Sequence, residues 1–449
     1  MRLHFIAIGG SVMHQLAISL HKKGYEITGS DDEIFEPAAG NLKKEGLLPA
    51  KVGWFPETIG ENIDAIILGM HARQDNPELE KALSLGIKVY SFPEYIYQES
   101  RTKKRVAVGG SHGKTTVTSM IMHVLKRAGL DFDFLVGARL EGFENSVKIS
   151  DADIIVCEAD EYPASTLEKR PKFHFLRPHI AVLTGIAWDH INVFPTFENY
   201  LHQFKIFIET IESDGCLIYN QTDNVLRELV LANRRDDIEY VPYQLPSYFI
   251  ENNVTSVMAG GNKVPLKIFG NHNLLNLEAT RLVSEKLGVS VAGFANAIST
   301  FSGAAKRLEL LGANEHLKIY RDFAHAPSKV AASVSALKQQ FPEHKLFAIL
   351  ELHTFSSLSE NFLSEYRGAL DVADEAVVYY SDHALTLKRL PPLDEETIRR
   401  EFGSSSLLVL NKRLMLEAEL KKFSKEKAVY LFMSSGNFDG LEILSSFPL

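Results

Sequence analysis

The sequence predicts an α/β protein of three domains, each built on a mostly parallel sheet: a Rossmann-like N-terminal domain over 1–102, a central domain of the P-loop ATPase type over 103–299 and a C-terminal Rossmann-like domain over 300–449. Three observations carry that expectation. Short apolar, β-branched runs alternate along most of the chain with stretches whose apolar residues recur at helical spacing, the pattern of parallel sheets crossed by helices. Glycine-rich turns join strand to helix at Gly9-Gly10-Ser11 and Gly109-Gly110-Ser111-His112-Gly113. Polar breaks at Arg101–Arg105 and Ser302–Arg307 divide the chain.

Composition narrows the function classes. With 449 residues and a net charge of −9, the chain is long enough for about two to four domains and lacks the basic surface that non-specific nucleic-acid binding favours. No run approaches the ~18 apolar residues that span a bilayer. Met1-Arg2-Leu3-His4-Phe5-Ile6 runs directly into strand-like sequence without a secretory h-region, so a cytoplasmic location is expected. The two cysteines, Cys157 and Cys216, are too few for a disulfide framework and read as buried spectators.

From the N-terminus, Leu3 to Ile8 is a strand, followed by the glycine turn and a helix with apolar Met13, Leu16, Ala17 and Leu20. The next strand ends in Gly29-Ser30-Asp31, an acidic residue about twenty positions after the turn, where a dinucleotide fold meets a ribose hydroxyl. The full GxGxxG is missing, since Val12 and Met13 follow, so a nucleotide site and a structural turn both remain open. Strands at Ile63–Leu68 and Ile87–Tyr90, with a helix at Glu78–Leu85 between them, continue the alternation.

In the central domain, Val106–Val108 turns through Gly110 and Gly113 into a helix with apolar Val117, Met120, Ile121, Val124 and Leu125. At such a turn, backbone amides and the helix dipole converge on an anion, Lys114 can reach β/γ-phosphates and the Thr115 hydroxyl can ligate Mg²⁺. Val108 stands where the full motif has its first glycine, so only the Gly110-x-x-Gly113-Lys114-Thr115 core is present. Asp153–Cys157 is a second strand running into Glu158-Ala159-Asp160-Glu161, carboxylates at a strand end where α/β sheets bind ligands and where Mg²⁺ finds oxygen donors. A third, Ile180–Thr184, leads to Asp189-His190. Phe197–Ile211 reads as a helix with one buried face, and Gly270–Asn276 opens a helix that sets Asn273 and Asn276 on one side, as caps or as readers of a purine edge. The last third alternates strands at Leu317–Tyr320, Lys345–Leu350, Glu375–Tyr380, Leu407–Leu410 and Ala428–Met433 with helices such as Val330–Phe341 and Arg413–Phe423.

The ordered set of motifs resembles the Mur ligase family, ATP-dependent amide-forming enzymes of peptidoglycan synthesis. The resemblance runs through Gly9-Gly10-Ser11, Gly29-Ser30-Asp31, Gly110–Thr116, Glu158–Glu161, Asp189-His190, His272-Asn273 with Asn276, Arg307-Leu308-Glu309 and Asp322-Phe323-Ala324-His325. Within the branch that uses UDP-N-acetylmuramate, Glu161-Tyr162, the insertion Glu168–Phe173 and Met433–Gly440 are similar to the ligase that adds L-alanyl-γ-D-glutamyl-meso-diaminopimelate in recycling. His353-Thr354-Phe355 is similar to the ligase that adds L-alanine, the alternative.

The resemblance implies ATP and Mg²⁺ as cofactors, UDP-N-acetylmuramate as a substrate, a muropeptide or amino acid as acceptor, and an acyl-phosphate intermediate. It implies that Lys114, Glu158 and His190 serve catalysis, with Thr115, Glu158 and His190 as metal ligands. ATP would be held by Gly110, Ser111, His112, Gly113, Lys114, Thr115, Thr116, Asn273, Asn276, Arg307 and Asp322. The UDP-sugar would lie on Gly9, Gly10, Ser11, Ser30, Asp31 and His71. Lys205, fifteen residues after His190, is either the carbamylated metal bridge of relatives outside this branch or helix surface. Gly185, Arg321 and Ala326 replace residues usual in the family, which puts His325 in doubt. Those changes also fit a nucleotide-binding regulatory protein that kept the fold and lost the chemistry.

Overall fold

The computed structural model describes residues 1–449 except 71, 138–142, 144, 189–192, 305–306, 423–426 and 448–449. The chain forms two compact units, Met1–Gln244 with Asn276–Ala297, and Leu245–Leu275 with Ile298–Leu449.

The first unit opens with β1 (Arg2–Ile6), α1 (Met13–Lys22), β2 (Glu26–Ser30), α2 (Ala38–Lys44), β3 (Ala65–Leu68), α3 (Pro77–Ser84), β4 (Lys88–Ser91) and α4 (Phe92–Ser100). The sheet is wholly parallel in the order β2-β1-β3-β4. Every residue of β3 is buried, as parallel strands covered on both faces require. Leu3 and Phe5 pack on one side with α1 and α4, while Ile6, Ile66 and Leu68 pack on the other with Leu79 and Ala82. β1 ends two residues earlier than its apolar run because Ala7 takes φ +66°. The amides of Ala7 and Ile8 both donate to Ser30 O, at 2.9 and 3.1 Å. Asn76 caps α3 by accepting from the Glu78 and Leu79 amides, with Pro77 at the first helical position.

The central sheet consists of β5 (Lys104–Gly109), β6 (Asp133–Leu135), β7 (Val147–Lys148), β8 (Ile154–Glu158), β9 (Ile180–Leu183), β10 (Cys216–Asn220) and β11 (Glu239–Tyr243), in the order β11-β10-β9-β5-β8-β6-β7. Only the β6–β7 pair is antiparallel among these described strands. The helices α5 (Lys114–Arg127), α6 (Phe197–Glu209) and α7 (Asn224–Ala232) belong to this region. Cys157 and Cys216 lie inside β8 and β10, and burial pushes their thiols up to about 12 and about 11.

The basic break at Arg101–Arg105 is not a solvated connection. Lys103 and Arg105 are buried; Lys103 Nζ lies 2.9 Å from the Asp133 carboxylate and donates to the carbonyls of Ser150 and Ala152. Arg105 pairs with Glu212 at 2.8 Å and donates to the carbonyls of Ser100, Arg101 and Arg177. Buried charges need such partners, and these tie α4 to the central sheet. Ser19 on α1 adds a second tie, accepting from the Ile149 amide at 2.6 Å.

Helix α8 (Asn271–Lys286) begins in the second unit and ends in the first, and α9 is Val291–Ile298. In the second unit, β12 (Tyr248–Glu251), β13 (Val254–Ala259) and β14 (Asn262–Pro265) form an antiparallel meander in a stretch where the apolar pattern assigns no element. Its turns are Asn252-Asn253 and Gly260-Gly261, all four at positive φ. Paired positive φ is what a two-residue hairpin matching strand twist demands, so Asn-Asn and Gly-Gly were the available signals.

The remaining sheet has β15 (Glu309–Ala313), β16 (Leu317–Asp322), β17 (Lys345–Leu352), β18 (Glu375–Tyr380), β19 (Leu408–Leu410) and β20 (Ala428–Met433), ordered β15-β16-β20-β17-β18-β19. It is parallel except at β15–β16. Helix α10 starts at Pro327 rather than Val330 and runs to Gln340, because proline is well placed in a first turn. The C-terminal helix predicted to reach Phe423 ends at Leu420. A cavity of about 460 Å³ lies among Phe347, Glu375 and Leu408 at the strand beginnings, the end of the sheet away from Asp322, Leu352 and Met433.

Candidate active site

The strand β5 runs into Gly110, at φ +123°, and Gly113, at φ +80°, before α5 begins at Lys114. A side chain at Gly110 would overlap the Thr184 hydroxyl; one at Gly113 would come within 2.5 Å of Asn276 Oδ1. Both positions therefore demand glycine on conformation and on space. Gly113 provides no side-chain cap, so the first amides of α5 face outward without a protein acceptor from that residue. Ser111 is fixed from two sides, its amide donating to Gly185 O at 3.0 Å and its Oγ accepting from the Ala187 amide at 2.8 Å. Gly110→Ala is expected to abolish measurable ADP binding in a calorimetric titration and to lower the melting temperature, whereas retained affinity would show that the turn does not hold phosphate.

Lys114 and Glu158 are brought to one edge. Val108 of β5 pairs in register with Glu158 of β8. The Thr115 hydroxyl donates to Glu158 Oε1 at 2.7 Å, and the Gly137 amide donates to Oε2 at 2.7 Å. Lys114 Nζ donates to Gly110 O at 2.7 Å and lies 2.6 Å from Glu161 Oε2. Burial alone would depress the Lys114 ammonium, but Glu161, Asp160 and Glu158 together hold it above the ordinary lysine value. Thr116 is buried. His112 supplies a carbonyl to the Thr184 hydroxyl.

Two roles, one of a strand-end carboxylate already singled out and one of a helix residue, are not legible in the spacing. Glu161, 1% exposed, is the counter-ion of Lys114. Tyr200 of α6 places its hydroxyl 2.9 Å from Ser111 Oγ and donates to Glu161 Oε1 at 3.4 Å. Tyr200 is fully buried on the core side of its helix, so periodicity reads it as packing and offers no signal for its hydroxyl.

His190, the third strand-tip residue, and His71 lie outside the described residues. Gly185, φ +151°, has Asp223 Oδ2 where a β-carbon would come within 2.8 Å, which accounts for glycine there. Lys205 lies on α6 with its side chain 44% exposed, 4.0 Å from Glu209 one turn on. Asn276 sits against Gly113, as above. Asn273 is buried and donates to Phe269 O at 3.0 Å.

In the N-terminal sheet, the Gly9 amide donates to Asp31 Oδ2 at 2.7 Å, linking the first glycine turn to the end of β2. Gly10 follows in the turn and Ser11 is exposed. The Ser30 hydroxyl points inward and donates to Glu78, a fully buried carboxylate that also accepts from the Phe55 amide at 2.6 Å. Burial pushes the Asp31 carboxyl up to about 6, helped by neighbouring Asp32 and opposed by the Gly9 amide. A carboxyl raised in the fold stabilises less as pH climbs through the interval between its unfolded and folded values. Asp31→Asn is therefore expected to melt above the unsubstituted protein at pH 7, the advantage shrinking as pH falls from about 6 toward about 4; thermal melts across that range check it.

In the second unit, Asp322 at the end of β16 is buried and accepts from Ser333, and His272 is close enough for the carboxylate to counter the burial that lowers its imidazole pKa. The Arg307 guanidinium lies 4.8 Å over the Phe323 ring. Arg321 pairs with Glu309 at 2.8 Å across β15–β16, so this replacement serves the sheet. His325 Nδ1 lies 2.8 Å from Phe323 O. At the ends of β17 and β20, buried Glu351 accepts from Ser434 and from the Phe438 amide, with His353 Nδ1 3.7 Å away. Burial pushes the Glu351 carboxyl up.

For a magnesium ion the donor set is suitable: Thr115 and Glu158 offer hard oxygen ligands beside the glycine turn, and Mg²⁺ is commonly held by one or two protein oxygens with phosphates and waters completing its shell. Among the described residues no cluster of three or more His, Cys, Asp or Glu side chains makes an all-protein metal cage. No described helix is long and apolar enough to cross a membrane.

A glycine turn on a parallel sheet, a lysine at a helix start and a carboxylate one strand away define a nucleotide-binding α/β protein of the phosphate-loop class. The sequence matches three family models in order: the Mur ligase family catalytic domain over 2–104, the Mur ligase middle domain over 108–283 and the Mur ligase glutamate ligase domain over 306–436. It is 33% identical over 386 residues to UDP-N-acetylmuramate–L-alanine ligase of Arthrobacter sp. (strain FB24), covering 84% of this chain and 80% of that protein. It is 29% identical over 360 residues to UDP-N-acetylmuramate–L-alanyl-γ-D-glutamyl-meso-2,6-diaminoheptandioate ligase of Escherichia coli (strain K12), covering 78% and 79%. Among solved structures, the fold is similar to murein peptide ligase from Psychrobacter arcticus 273-4 (TM-score 0.64, 23% identity, 99% and 98% covered) and to UDP-N-acetylmuramate-alanine ligase from Thermotoga maritima (TM-score 0.66, 22% identity, 99% and 97% covered). The chain belongs to the Mur ligase family, whose members are ATP-dependent amide-bond-forming ligases.

Proposed function

We propose that this protein joins the lactyl carboxylate of UDP-N-acetylmuramate to the amino group of L-alanyl-γ-D-glutamyl-meso-diaminopimelate in the cytoplasm. The single observation that carries the chemistry is the convergence of Lys114, Thr115, Glu158 and Glu161 on the glycine turn. The tripeptide is supported by Glu161-Tyr162 and the Glu168–Phe173 insertion, and by the activity named for the E. coli relative. A carboxylate oxygen attacks the γ-phosphorus, ADP departs, and the peptide amine then displaces phosphate from the acyl carbon and loses a proton. Both reactants of the first step are anions, so charge must be offset as the phosphoryl group moves.

Lys114 is poised to do so, because its ammonium can exchange Glu161 for phosphate oxygens without leaving its place. Thr115 and Glu158 would hold Mg²⁺, which supplies charge screening at the phosphates. The glycine turn orients the phosphate chain through its amides, and Tyr200 and Ser111 keep Glu161 and the turn in register. Asn273, Asn276, Arg307 and Asp322 are assigned to the nucleotide, and the first glycine turn with Asp31 to the UDP-sugar.

L-Alanine is a second reading, favoured by the identity to alanine ligases and by His353-Thr354-Phe355. Phosphate release measured side by side with L-alanine, dipeptide and tripeptide decides between them. The tripeptide is expected to give the highest kcat/KM, faster turnover with L-alanine would move the protein to that class, and nucleotide binding without ADP formation would make it a regulator.

A further inference from the structure

A cavity of about 110 Å³ in the first unit lies between the first glycine turn and the metal-side carboxylate. Val12, Phe92 and Leu176 wall it, and Glu158, Asp160 and Lys172 line its polar part. Lys172 belongs to the insertion, and the surrounding backbone is pinned. The Lys172 amide donates to Tyr162 O at 2.8 Å, the Phe173 amide donates to Asp160 O at 3.1 Å, and the fully buried Phe173 ring stacks on Phe207 at 4.9 Å. The Lys172 ammonium, with its side chain 16% exposed, lies 2.7 Å from Asp160 Oδ2.

Among the described residues lining the cavity, Lys172 is the one cation, set beside two carboxylates. An ammonium has three donors, and Asp160 is positioned to take one. A ligand carboxylate entering beside Glu158 would meet like charge unless a cation received it. The cavity is too small for a nucleotide. A short acid with an apolar carbon suits its mixed lining.

We propose that Lys172 is a specificity-determining residue that receives the lactyl carboxylate of UDP-N-acetylmuramate, with Asp160 fixing its ammonium. The insertion thereby distinguishes the muramyl nucleotide from the same nucleotide sugar without a lactyl arm. This rests on UDP-N-acetylmuramate being the carboxylate substrate and is independent of the acceptor.

The test is a calorimetric titration of the full-length protein, without ATP, with UDP-N-acetylmuramate and with UDP-N-acetylglucosamine, for the unsubstituted protein, Lys172→Gln and Lys172→Arg. Glutamine can still donate to Asp160 and removes only the charge; Lys172→Met serves if the glutamine variant does not fold. The unsubstituted protein is expected to prefer the muramyl nucleotide by about ten- to a hundredfold, the worth of one charged hydrogen bond. Lys172→Gln should bring that ratio near one by weakening the muramyl nucleotide alone, and Lys172→Arg should restore most of it. A purely structural role would weaken both nucleotides together and leave the ratio intact, which overturns the proposal while the substrate reading stands. No preference in the unsubstituted protein would overturn both.

Discussion

Lys114→Ala is expected to lower turnover by about two to three orders of magnitude, measured as ADP release at saturating substrates. On the proposed reading the ammonium offsets the negative charge that gathers as the phosphoryl group transfers, and Gly110 O and Glu161 hold it in place. The same substitution has a second effect. Glu161 is 1% exposed, so removing its partner leaves a buried charge uncompensated, a loss of about 3–5 kcal/mol. The two effects separate in the double variant Lys114→Met/Glu161→Gln. Neutralising both members restores the melting temperature toward that of the unsubstituted protein and leaves turnover low. Turnover of Lys114→Ala within tenfold of normal would place the chemistry elsewhere.

Glu158→Gln is expected to lower kcat about a hundredfold or more and to raise the Mg²⁺ concentration at half-maximal rate. The amide still offers one carbonyl to the Thr115 hydroxyl, but it loses the charge and the second oxygen that accepts from Gly137. The fold is expected to persist, because Glu158 is only partly buried and its strand neighbours on both faces are apolar. Rates followed across a Mg²⁺ series read the change. An unaltered midpoint together with an unaltered kcat would remove this carboxylate from the metal side of the reaction.

How much was legible differs by residue. Gly110, Gly113, Lys114 and Thr115 are contiguous, and a strand before them with a helix after them leaves one turn geometry, so their placement follows from local sequence. Glu158 was reached because a buried run ending in carboxylates can only deliver them at a strand end. The Asn252-Asn253 and Gly260-Gly261 hairpins were equally local and were missed because their strands lack a clean alternation: exposed Val254 and Met258 fall on the face where polar residues were expected. The burial of Lys103 and Arg105 within the basic break was not legible, since the carbonyls and carboxylates that surround them come from distant segments.

By itself, the sequence determined the alternation of strands and helices, the class of the three mostly parallel sheets, the glycine turn before Lys114 and the family, because those depend on periodicity, glycine conformation and motif order within short windows. Tertiary structure alone decided which carboxylate Lys114 holds 47 positions away, that Tyr200 reaches Ser111 across 89, and that Ser30 turns toward Glu78 across 48. A buried polar group must find some partner or be strongly penalised, but the identity of that partner depends on which sheet edges and helix faces close around it, and no spacing along the chain records that.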